Sequence, residues 1–83
     1  MAKTIQVQVT LYATLGRYAP DARPGRPMTV TVPEGTTVGQ LMKKLGVPEG
    51  TVKTTFVNGI ICDDDHVLAD GDQVGAFPPI AGG

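Results

Sequence analysis

Ile5, Val7, Val9 and Leu11 alternate with Gln6, Gln8, Thr10 and Tyr12. A period of two, rich in β-branched residues, predicts a strand with one buried face. Ala13 to Tyr18 then has room for a short helical turn. Ala19 to Pro27 reads as a loop, because Pro20, Pro24, Gly25 and Pro27 interrupt any regular ladder. Met28, Val30 and Val32 alternate with Thr29 and Thr31, which predicts a second strand. Pro33-Glu34-Gly35 ends it.

The period then changes. Val38, Leu41, Met42 and Leu45 follow i, i+3, i+4, i+7 spacing, the signature of a helix with one apolar face. Thr37 and Gln40 form a capping-box pair at its start. Lys43 and Lys44 read as a solvated helix end, where the macrodipole favours cations. Gly46 suits a left-handed stop, and Pro48 prevents continuation. Gly39 costs about 1 kcal/mol relative to Ala inside a helix, so its presence points to close packing on the sheet.

Thr54 to Val57 and Ile60 to Cys62 are short strand candidates. Asn58-Gly59 between them is a strong hairpin signal, since both residues tolerate positive φ. Asp63 to Asp65 leave the sheet, Val67 and Leu68 dip back to the core, and Asp70-Gly71-Asp72 makes a turn. Gln73 to Phe77 is the last strand. By parity Val74 and Ala76 share the inner face, and Gln73, Gly75 and Phe77 the outer. Strand, strand, helix, strand, short strand, strand predicts an α+β fold: a mixed sheet with one main helix packed on one face. That is the ubiquitin-like β-grasp arrangement. Residues 1–77 are expected to form the domain and 78–83 a flexible C-terminal tail.

Composition adds limits. The chain has 83 residues and a 41% hydrophobic content, enough for one small core. Net charge is -1, so no basic field favours nucleic acid. No Lys or Arg follows Lys53, so the end carrying the tail is acidic. A single cysteine, Cys62, excludes an intrachain disulfide framework. No apolar run approaches the roughly 20 residues that span a membrane. The N-terminus does not read as a signal peptide, and the expected location is cytoplasmic.

Chemistry concentrates at the end. Pro78 and Pro79 lack a backbone N–H and cannot extend a sheet ladder. Ile80, Ala81, Gly82 and Gly83 follow, and the glycines carry no Cβ to obstruct a narrow channel. An extended stretch over Pro78–Gly83 reaches roughly 20 Å at most. The expectation is a thin projection with a free carboxylate on Gly83. Phe77 at its root is a candidate docking anchor, expected to be exposed.

The segments Val57-Asn58-Gly59, Asp65-His66-Val67-Leu68, Asp70-Gly71-Asp72-Gln73-Val74 and Phe77-Pro78-Pro79-Ile80-Ala81-Gly82-Gly83 resemble the MoaD/ThiS family of ubiquitin-like sulfur carriers. The small subunit of molybdopterin synthase (MoaD) is the nearer match, and the thiamine sulfur carrier ThiS the more distant. Leu11-Tyr12-Ala13-Thr14-Leu15 and Val32-Pro33-Glu34-Gly35-Thr36-Thr37-Val38 are consistent with it. Gly75 departs from the family's larger residue, and Gly16 stands where relatives often carry a charge.

The resemblance implies a chemistry. A ubiquitin-activating-type enzyme, using ATP and Mg, would adenylate the Gly83 carboxylate. A sulfur donor protein would convert it to a thiocarboxylate, which would enter the molybdopterin synthase large subunit or another sulfur-accepting enzyme. Pro78, Pro79, Ile80, Ala81 and Gly82 would thread the tail, and this chain would carry sulfur rather than catalyse. It would bind no cofactor itself: it has no Walker-type loop and no evident nucleophilic triad. Two other classes stay open. One is a ubiquitin-like modifier joined to target lysines through Gly83. The other is a non-covalent β-grasp module that does not need Gly83.

Asp63-Asp64-Asp65-His66 invites a calcium reading, but the twelfth position from Asp63 is Val74, not the required Glu. A solvated acidic turn is the simpler reading. His66 is read as packing the loop. Cys62 is read as an ordinary strand residue, since nothing basic lies near it in sequence.

Overall fold

The computed structural model describes residues 3–18, 26–48 and 50–79. Strand β1 runs Thr4–Leu11, and a 3₁₀ helix follows over Ala13–Tyr18. Strand β2 is Pro27–Pro33, helix α1 Val38–Lys44, β3 Thr54–Val57, β4 Ile60–Cys62 and β5 Gln73–Phe77. Pro27, expected in the loop, is the first residue of β2. Proline is tolerated there because β2 is an edge strand.

The five strands form one sheet in the order β2-β1-β5-β3-β4. β1 and β5 are parallel, with Gln8 beside Gln73 and Leu11 beside Ala76. The other pairs are antiparallel. The strand that precedes the tail therefore sits mid-sheet, between the first strand and the third. This is the mixed-sheet, one-helix β-grasp architecture that the alternation predicts.

Ile5, Val7, Val9 and Leu11 are all buried, as are Val74 and Ala76. They pack with Val38, Leu41 and Met42 of α1 and with Val47, Val57 and Leu68 in one core. At about 1.5–3 kcal/mol per buried aliphatic side chain, this cluster drives the fold.

Both helix ends are closed as the residues allow. The Gln40 N–H donates to Thr37 Oγ1 at 3.2 Å, and the Thr37 N–H donates to Gln40 Oε1 at 3.0 Å. At the other end Gly46 adopts φ +79°. The Val47 N–H donates to the Met42 carbonyl and the Gly46 N–H to the Lys43 carbonyl, each at 3.0 Å. This is the six-to-one and five-to-two pair of a Schellman stop, and it delivers Val47 to the core. Asn58 and Gly59 both carry positive φ, as a tight two-residue hairpin requires.

Three expectations need correcting. Val67 does not dip into the core with Leu68. It is 56% exposed and makes an isolated bridge with Thr37. Gly39 is close-packed, but against the segment after β4 rather than the sheet: a Cβ there would lie 3.3 Å from Asp64 Cβ, and its N–H donates to the Asp64 carbonyl. The His66 side chain is exposed and does not pack the loop. Its carbonyl accepts the Val38 N–H at 3.0 Å.

Candidate functional site: the root of the tail

β5 reaches the tail with its inner face anchored by Val74 and Ala76, so Phe77 falls on the outer face as its parity predicts. Pro78 is half-buried and Pro79 exposed. Ile80, Ala81, Gly82 and Gly83 lie outside the described residues.

Phe77 is not the freely exposed ring expected from the sequence. It is half-buried in an aromatic cluster. Tyr12 stacks on it with ring centroids 4.2 Å apart and planes 3° from parallel. Phe56 meets it edge-on at 5.5 Å and 76°. Such pairs add about 0.5–1.5 kcal/mol each beyond the area they bury.

The topology explains the meeting. β1 and β3 flank β5 on opposite sides, so Tyr12, just past the end of β1, and Phe56 on β3 converge on it. Gly75 completes the arrangement. A Cβ at that position would come within 3.2 Å of the Tyr12 ring, so a larger residue there requires the ring to shift by a few tenths of an ångström.

The backbone holds the same point. The Ala76 carbonyl accepts the Tyr12 N–H at 3.0 Å, and the Phe77 carbonyl accepts the Lys53 N–H at 2.8 Å. Beside the rings lies an open recess of about 390 Å³, lined by Thr10, Tyr12, Phe56, Gly75 and Phe77 among others. Ile61 pairs with Phe56 across β3 and β4 and is 66% exposed. Cross-strand partners share a face, so Tyr12, Phe77, Phe56 and Ile61 make an apolar row from the tail's root to the sheet edge.

The start of β5 is fixed by a polar clasp. Asp72 accepts the Asn58 Nδ2–H at 2.9 Å and the Ala69 N–H at 2.8 Å. Asn58 Oδ1 accepts the Gln73 N–H at 2.9 Å, and the Asn58 N–H donates to the Gln73 carbonyl at 2.8 Å. Asp70 accepts the Gln6 N–H at 2.8 Å. The acidic residues before β5 thus tie the hairpin and β1 to it.

Asp63, Asp64 and Asp65 are exposed, and among the described residues no three His, Cys, Asp or Glu side chains gather as a metal-binding group. Cys62 is half-buried, with its thiol directed to the Ile60 carbonyl at 3.4 Å. Among the described residues no helix is long and apolar enough to cross a membrane.

Tyr12 and Phe56 were the residues that strand patterning passed over. Each holds the outer parity of its strand, opposite Leu11 and Val57. That is the one signal in the sequence that they share a face with Phe77.

Residues 4–81 match the Mut7-C ubiquitin family. The chain belongs to that family. It is a MoaD/ThiS-like, ubiquitin-like protein. A comparison with curated proteins finds no match for this Mut7-C ubiquitin chain.

Solved structures match it along nearly their whole length. A Pyrococcus furiosus protein, provisionally assigned as molybdopterin converting factor subunit 1, is 27% identical with a TM-score of 0.70, covering 92% of this chain and 99% of its own. Small archaeal modifier protein 1 of Haloferax volcanii is 22% identical with a TM-score of 0.71, covering 92% and 99%. The Caldiarchaeum subterraneum ubiquitin is 19% identical with a TM-score of 0.64, covering 98% and 100%. At those identities the last two speak for the fold alone.

Proposed function

We propose that this Mut7-C ubiquitin protein is a sulfur carrier whose sulfur rides on the Gly83 carboxylate as a thiocarboxylate. The observation that carries the reading is the junction at Phe77. A mid-sheet strand, fixed on both flanks, ends there and hands the chain to Pro78-Pro79-Ile80-Ala81-Gly82-Gly83. The 27% likeness to a provisional molybdopterin converting factor subunit supports delivery to molybdopterin synthesis, with this chain as the small subunit of molybdopterin synthase. Thiamine or another sulfur-containing metabolite is the alternative destination.

The chemistry divides between proteins. A carboxylate is a poor acyl donor until it has a leaving group. A ubiquitin-activating-type partner supplies one: a Gly83 carboxylate oxygen attacks the α-phosphorus of Mg-bound ATP, and pyrophosphate leaves. A persulfide on a sulfur donor protein then attacks the acyl carbon and expels AMP. Thiol reduction of the resulting acyl disulfide frees the thiocarboxylate. The molybdopterin synthase large subunit, or another sulfur-accepting enzyme, takes the sulfur.

This chain binds no cofactor in that scheme and acts in the cytoplasm as a co-substrate, not as the enzyme. Pro78 to Gly82 thread the partner's channel while Phe77 anchors the docking surface. An apolar side chain of the partner fits the recess beside Phe77.

One second reading uses the same terminus, conjugation of Gly83 to lysines, because an adenylated Gly83 carboxylate is equally an acyl donor to an amine. Both readings need adenylation, and both fail together if it does not occur. Pyrophosphate exchange into ATP, catalysed by a ubiquitin-activating-type adenylating enzyme, should depend on this chain and vanish when Gly83 is deleted. Exchange that persists without Gly83 contradicts both. Lysate conjugates formed with ATP, and no thiocarboxylate, favour the modifier.

A further inference from the structure

We infer that Tyr12 is a positioning residue for the tail: its ring, admitted by Gly75 and stacked on Phe77, fixes the direction in which the chain leaves the sheet. The inference deepens the sulfur-carrier reading and rests on it for its functional consequence. It does not rest on it for the geometry.

Tyr12 acts on β5 in two ways at once. Its N–H donates to the Ala76 carbonyl at 3.0 Å, the residue before Phe77. Its ring lies flat on Phe77 at 4.2 Å. On the other flank the Lys53 N–H holds the Phe77 carbonyl, and Phe56 abuts the ring. Phe77 is therefore gripped by main chain and side chain from both neighbouring segments. Pro78 follows directly, and proline disfavours helical backbone at the residue before it. A grip on Phe77 thus carries into the proline pair instead of dissipating in a flexible joint.

Two local features make the grip possible. Ala13 has φ +52°, a left-handed conformation that costs a non-glycine residue about 1–2 kcal/mol. The turn it makes comes directly after Tyr12, where the chain leaves β1 for the 3₁₀ helix. Gly75 leaves the ring its space, since a Cβ there would meet it at 3.2 Å. Strain persists only where surrounding structure holds it, and here it sits beside the residue that holds the root.

Pro78 and Pro79 are the first residues beyond the sheet, so re-aiming Phe77 changes the direction from which a partner's channel receives the tail. Attack on the α-phosphorus of ATP tolerates little misplacement, and a 1 Å error costs about a hundredfold in well-oriented reactions. Loss of the grip should therefore lower turnover more than affinity.

The test uses the full chain, a ubiquitin-activating-type adenylating enzyme, Mg-ATP and sulfide, with Tyr12→Ala, Tyr12→Phe and Gly75→Ala. Tyr12→Ala should lower kcat about tenfold or more, beyond any rise in KM from the altered recess; Gly75→Ala should lower it by less, because the ring need shift only a few tenths of an ångström; and Tyr12→Phe should keep most of the wild-type rate because the stack needs no hydroxyl. Wild-type kcat in Tyr12→Ala overturns the inference. A rise in KM alone also overturns it, because it makes Tyr12 a docking contact. Independently of any partner, the Cα–Hα residual dipolar couplings of Pro78 and Pro79 should change in Tyr12→Ala and stay unchanged in Tyr12→Phe. Unchanged couplings in Tyr12→Ala overturn the positioning role. A wild-type chain that is never adenylated, with couplings that do change, sinks the carrier reading and leaves the geometric grip standing.

Discussion

Asp72→Ala tests how the start of β5 is held. The carboxylate accepts two hydrogen bonds, from Asn58 Nδ2 at 2.9 Å and from the Ala69 N–H at 2.8 Å. A hydrogen bond to a charged group contributes about 1.5–3 kcal/mol when sheltered. Asp72 is half-buried while Asn58 and Ala69 are exposed, so water takes over as acceptor once the carboxylate is gone. That replacement lowers each loss toward about 1 kcal/mol, for a total of about 2 kcal/mol.

For a domain of this size the melting temperature should fall by about 8–16 °C. With a urea slope near 1 kcal/mol per molar, the midpoint should drop by about 2 M at unchanged slope. A double-mutant cycle with Asn58→Ala should return a coupling of about 1 kcal/mol, since the two side chains are in direct contact. A loss below about 0.5 kcal/mol, the range of an ordinary surface substitution, would refute the clasp. So would a cycle that adds without coupling.

Two other substitutions probe the frame around the site. Thr37→Ala removes the acceptor for the Gln40 N–H and should cost about 1 kcal/mol in urea unfolding, whereas Thr37→Ser should recover most of it. Ala13→Gly relieves a left-handed alanine against the entropy that glycine adds to the unfolded chain. The net gain should be about 0.5 kcal/mol, seen as a raised urea midpoint, and a lowered midpoint would show that Ala13 is not strained.

Much of this fold is written locally. The alternation from Ile5 to Leu11, the Thr37–Gln40 pair, Gly46 and Asn58-Gly59 each specify their own element within a few residues, and each forms as its pattern predicts. What the pattern does not carry is adjacency. Tyr12 meets Phe77, and Asn58 meets Asp72, only because β5 inserts between β1 and β3, so these contacts depend on topology rather than spacing. Val67 shows the same limit from another side: an apolar residue beside Leu68 suggests burial, yet its neighbour takes the core position and it is left at an exposed bridge. Gly39 signals a close approach without naming the partner, which is the segment that carries Asp64. At the site, the parity of Phe77 is legible from Val74 and Ala76, whereas the ring stacked on it is not.

The central claim is that Gly83 carries sulfur. Intact mass spectrometry of the full chain, after incubation with a ubiquitin-activating-type adenylating enzyme, Mg-ATP and sulfide, tests it most directly. The expected result is a gain equal to the difference between one sulfur and one oxygen atom, located on Gly83 by fragmentation and absent when Gly83 is deleted. An unchanged mass with an enzyme that thiocarboxylates its own carrier in the same tube would contradict it.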